Sequence, residues 1–108
     1  MTDDTPVLDL VARMTADSLA TSTLPNDELM LVRLAALVAV DAPAASYLAN
    51  LGAAVDAGLD VEDVQGVLAA VAPIVGTARA VSATNKITQA LGLAIDLATL
   101  ELLAEEGS

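Results

Sequence analysis

Apolar residues recur at helical spacing along most of the chain, and proline, glycine and short polar residues mark the breaks between runs. Val7, Leu8, Val11, Met14 and Leu19 form the first run. It opens at Thr5–Pro6, a hydroxyl cap followed by proline at the first helical position. Arg13 stands four residues from both Asp9 and Asp17, a spacing that answers its charge on one exposed face. The run ends in Thr21–Ser22–Thr23–Leu24–Pro25. A second helix is predicted from about Asn26, with Asp27 and Glu28 complementing the positive end of its dipole. Leu29, Leu31, Val32, Leu34, Leu37, Val38 and Val40 make it apolar nearly all round, the pattern of a buried helix.

Pro43 interrupts, because proline cannot donate into a continuing helix. A third helix is expected from about Pro43 to Ala57, stopped by Gly58. Asp60 is the predicted cap of a fourth, with Glu62 and Asp63 in its first turn. That helix should bend or end near Pro73 and close at Gly76. A fifth segment follows from Thr77, with Gly92 as an interruption and Leu93, Ile95, Leu97, Leu100, Leu102 and Leu103 continuing helically. Glu105–Ser108 reads as a solvated tail. No strand-like alternation and no internal repeat is present. The expectation is an all-α bundle of five to six helices, one domain over residues 1–108.

Composition changes this picture in two ways. The chain is 56% hydrophobic but 1% aromatic, with Tyr47 as its one ring. A core of Ala, Val and Leu buries little area per residue, so a homo-oligomer is expected to supply the missing burial. Net charge is −11, from 15 acidic and 4 basic residues. That argues against nucleic acid and against anionic membrane surfaces. It also keeps a chain of mean hydropathy +0.66 in solution. The acidic start Met1–Pro6 lacks the pattern of a signal peptide, and no apolar stretch is long enough to span a bilayer, so a cytoplasmic setting is expected.

There is no cysteine and no histidine. Disulfides, thiol redox chemistry, Cys or His metal sites and imidazole-based triads are thereby excluded. No EF-hand loop or Glu-x-x-His motif is present, so neither a metal nor a cofactor is expected. The chemistry left lies near the break at Asp41–Ala42–Pro43. Ser46 and Asn50 share a helix face, with Tyr47 in the same turn. These three either orient a small polar ligand or serve the fold as back-bonding, capping and space-filling residues. Arg33, Arg79 and Lys86 have no carboxylate three or four residues away, and Asp41 and Asp96 are natural partners. Ion pairs within or between subunits are one reading. The other is a basic pocket in which Arg33 or Arg79 grips the carboxylate of a small anionic metabolite. Asp56, Asp60, Glu62 and Asp63 read as cap and solvated face.

An apolar helix, a small-residue break, a helix ending Ala54-x-x-x-Gly58, then Gly58–Leu59–Asp60–Val61–Glu62–Asp63–Val64 and an apolar helix closing at Gly76 form a recognisable series. It resembles the carboxymuconolactone decarboxylase family, which includes the alkylhydroperoxidase D-like proteins, over about residues 26–90. The peroxidase branch carries Cys-x-x-Cys and then His in the break. The register from Gly58 puts Pro43 and Ser46 at the cysteine positions and Asn50 at the histidine. Leu31 falls where relatives place a glutamate. The resemblance therefore implies the fold without thiol peroxidase activity. It also implies a homotrimer or homohexamer. The leading expectation is a non-redox, catalytically degenerate binding or structural member of the family, leaning away from an enzyme. The alternative is a cysteine-free enzyme acting on a small lactone or carboxylic acid, with Tyr47, Asp41 and an arginine as its reagents.

Overall fold

The computed structural model describes residues 5–106, with side chains described as far as Gly92. Its elements are α1 (Pro6–Thr21), α2 (Asn26–Ala39), α3 (Ala44–Asp56), α4 (Val61–Val75) and α5 (Thr77–Glu106). Among the described residues the structure is all-helical.

Local chemistry sets most of the boundaries. Pro6 opens α1, but the Thr5 hydroxyl makes no capping bond; it donates to the Asp9 carboxylate at 3.4 Å. Asp60 caps α4 through a reciprocal box: its carboxylate accepts from the Asp63 amide, and the Asp63 carboxylate accepts from the Asp60 amide, both at 2.9 Å. Gly58, at φ +90°, closes α3. The Leu59 amide then donates to the Ala54 carbonyl and the Gly58 amide to that of Val55, the paired reverse bonds of a Schellman ending.

The same ending recurs at the break after α2. The Asp41 amide donates to the Val38 carbonyl and the Ala42 amide to that of Leu37. Asp41 occupies the position glycine usually fills, at φ +54°. A short polar side chain is among the few that tolerate this backbone.

α4 ends two residues after Pro73 with Gly76 as its C-cap, where the pattern puts its close. The interruption expected at Gly92 does not occur, and α5 runs unbroken through it. An interior glycine costs about 1 kcal/mol against alanine, which is small beside the packing of α5 on α3 and α4. Leu93 to Leu103 and Asp96 lie outside the described side chains. Arg13 also departs from expectation: among the described residues the one ion pair is Lys86–Asp41, so neither Asp9 nor Asp17 engages it. Exposed pairs at that spacing gain too little to fix a long side chain.

The core comes from α2, α3, α5 and the break between α2 and α3. Leu34, Val38, Ala42, Tyr47, Leu51, Ala83, Ile87 and Ala90 are buried together, with Val64, Leu68 and Val71 of α4 packed against them. α2 is less enclosed than its all-round apolar pattern suggests, since Val32 stays on the surface. α1 lies outside this core and buries no residue. Its apolar positions Val7, Leu8, Val11 and Met14 are each at least half exposed.

Candidate functional site

The break and the first turns of α3 distribute the candidate residues in three directions. Tyr47 points inward and is 1% exposed, the largest fully buried side chain among the described residues. Among the described residues its hydroxyl has no hydrogen-bond partner. Burial raises its pKa above 10.0, and the negative charge of Asp41 adds to the effect.

Asp41 points along the surface toward α5. Its carboxylate accepts from the Lys86 ammonium at 2.9 Å and from the Ser82 hydroxyl at 2.8 Å. Those two hydrogen bonds, Lys86 first, hold its pKa below the ordinary 3.8. Lys86 also reaches the Asp41 carbonyl at 3.4 Å. Nearby, Arg79 donates to the Ala39 carbonyl at 2.7 Å. A cation at that place satisfies a carbonyl in the last turn of α2 and complements the negative end of its dipole.

Arg33 and Asn50 face the other way, toward α1. They line two adjoining clefts of about 410 and 390 Å³, bounded by α1, α2 and α3. Thr15 of α1 lines both, Ser18 the smaller and Asp56 the larger. The Arg33 guanidinium donates to the Ser18 hydroxyl at 2.9 Å. The Asn50 side-chain amide donates to the Ser46 carbonyl at 2.8 Å, one turn back on the same helix. That bond fixes the amide against its own helix and leaves its oxygen as an acceptor. Ser46 itself lines neither cleft.

The structure thus joins two of the four candidate ligand residues, Arg33 and Asn50, and sets Arg79 on a different face. Tyr47 and Asp41, the candidate acid and base, do not open into the clefts. Thr15, Ser18 and Asp56 belong to this site and carried no signal in the sequence, because only the placement of α1 and α3 beside α2 brings them to Arg33. Of the positions matching the peroxidase motif, Pro43 is exposed at the start of α3, Ser46 and Asn50 are half-buried, and Leu31 is half-buried on α2. Among the described residues no group of acidic side chains could hold a metal ion. No described helix is long and apolar enough to cross a membrane.

Five helices in this order, with the Gly58 turn and the break ahead of α3, fit a carboxymuconolactone decarboxylase-like helical fold. The family model for the carboxymuconolactone decarboxylase family matches residues 5–90, so the chain belongs to that family. The match takes in α1 as well as the series from Asn26 onward. No curated protein and no solved structure matches the chain.

Proposed function

We propose that the protein is a catalytically degenerate, non-redox member of the family that binds a small anionic metabolite in the cleft of Arg33 and Asn50. The observation that carries this reading is where the charges are used. Asp41 and Lys86 neutralise each other, and Arg79 serves a helix end. Arg33 gives one hydrogen bond to a neutral hydroxyl and, among the described residues, meets no carboxylate. A guanidinium carries five N–H donors in a fork suited to a carboxylate. Asp56 lines the larger cleft too, which favours a monocarboxylate over a dicarboxylate.

The alternative, an enzyme acting on a lactone or carboxylic acid, requires a substrate atom within reach of Tyr47. At 1% exposure its hydroxyl is sealed in the core. The exposed apolar residues of α1 support a homotrimer or homohexamer of one domain spanning 1–108, since a second copy would remove them from water.

Calorimetric titration with propionate and succinate tests the binding reading. Saturable binding of propionate, weaker binding of succinate and loss of both in Arg33→Gln are expected. Equal heats from Arg33→Gln and the unaltered protein would overturn it. Sedimentation equilibrium tests the assembly: a trimer or hexamer mass is expected, and a stable monomer contradicts it.

A further inference from the structure

A second pocket lies on the opposite side of α3, between α3, α4 and α5, and shares no lining residue with the Arg33 clefts. Its volume is about 240 Å³. An apolar cavity of roughly 150 Å³ stays dry and holds benzene, so this one admits a somewhat larger molecule. Leu51, Val64, Leu68 and Ile87 supply its apolar walls.

The polar groups decide which molecule. Thr84 and Thr88, one turn apart on α5, both line the pocket. Each hydroxyl proton is already committed: Thr84 donates to the Ala80 carbonyl at 2.9 Å, and Thr88 to the Thr84 carbonyl at 2.8 Å. A hydroxyl whose proton is used offers only its lone pairs. Asp60 also lines the pocket, and one oxygen of its carboxylate accepts from the Asp63 amide. Among the described lining residues, Gln65 is the one side chain with uncommitted hydrogen-bond donors, and there is no lysine or arginine.

We propose that this pocket binds a small aliphatic molecule with a hydrogen-bond-donating head, an alcohol or an amine, and discriminates against carboxylates. The apolar walls take the chain, and the Thr84, Thr88 and Asp60 oxygens accept from the head. A carboxylate brings acceptors to acceptors and a negative charge toward Asp60. The preference is opposite in sign to that of the Arg33 cleft, and it stands or falls independently of that site.

Matched probes of equal chain length test the proposal: 1-hexanol, hexylamine and hexanoate, titrated into the intact chain while side-chain methyl resonances are followed. Saturable shifts at Leu51, Val64 and Ile87 are expected with hexanol and hexylamine, and hexanoate should bind at least roughly tenfold more weakly. Ala54→Phe should block hexanol by filling the pocket. If that variant does not fold, nuclear Overhauser contacts between hexanol and the Ile87 and Thr88 methyl groups decide the matter in the unaltered protein. The proposal fails if hexanoate binds as well as hexanol, if a folded Ala54→Phe retains binding, or if those contacts are absent. It fails equally if hexanol acts by dissociating an oligomer, because the pocket is then a groove for another copy of the chain.

Discussion

Lys86 and Asp41 meet across forty-five residues of sequence, ammonium to carboxylate at 2.9 Å. The pair ties the α2–α3 break to α5, and it engages the carboxylate that would otherwise be the nearest candidate base. Asp41 can reach Lys86 and Ser82 from a left-handed backbone that closes α2. The residue thus has a backbone role and a side-chain role, and substitutions separate them. Asp41→Gly relieves the backbone and loses the ion pair, whereas Asp41→Ala loses the pair and keeps a side chain at φ +54°. The expected order of urea midpoints is native, then Asp41→Gly, then Asp41→Ala. An alanine variant as stable as the glycine variant would remove the backbone part of the argument.

The same pair predicts an acid response. Asp41 has a pKa lowered in the folded state, so its contribution is present above the ordinary 3.8 and is lost as pH falls through the lower folded value. Carboxyl carbon resonances followed through an acid titration should place the Asp41 midpoint below 3.8, and Lys86→Met should move it upward.

Tyr47 gives the opposite sign. Its pKa is raised on folding, so its protonated form stabilises the fold below pH 10.0, and that contribution is lost as pH climbs through the folded value. With one tyrosine in the chain, alkaline difference spectroscopy reads it alone. Tyrosinate absorbance should rise only above 10.0, in step with loss of helix. Tyr47→Phe removes a buried hydroxyl that has no partner among the described residues, so its stability should equal or exceed the native value by up to about 1 kcal/mol. Tyr47→Ala should cost about 3–5 kcal/mol by opening a cavity. Denaturant unfolding measures both.

The α3–α4 turn offers a test of local structure. Asp60→Ala removes the cap and should cost about 1 kcal/mol. Gly58→Ala should cost roughly 1–2 kcal/mol through its positive φ. Gly66, inside α4, has open space where a methyl group would project, so Gly66→Ala should stabilise by about 0.5–1 kcal/mol. A loss there instead would show that α4 is covered by another chain.

Features set by neighbouring residues were legible in the sequence. The Asp60–Asp63 cap, the Gly58 stop and the Pro43 break depend on short-range chemistry, and each appears where the pattern puts it. Filling space was one of the two readings the sequence left open for Tyr47, and its burial favours that one. Gly92 misled because tertiary packing outweighs a local weakness in a helix. The left-handed Asp41 had no glycine to announce it. The Arg33 cleft was legible by half: the absence of a helical partner marked the arginine, but Ser18, Thr15 and Asp56 reach it only through the placement of α1 and α3 beside α2. The pocket beside Thr84 and Thr88 carried no local signal.

In the proposed function Arg33 and Asn50 hold a small carboxylate while Tyr47 and Asp41 serve the fold. The most direct measurement is a titration of the isotope-labelled protein with propionate, following the Arg33 guanidinium and Asn50 side-chain amide resonances. Saturable shifts are expected at both, abolished in Arg33→Gln and unchanged in Tyr47→Phe. Saturable shifts at Tyr47 or Asp41 with none at Arg33 would contradict it.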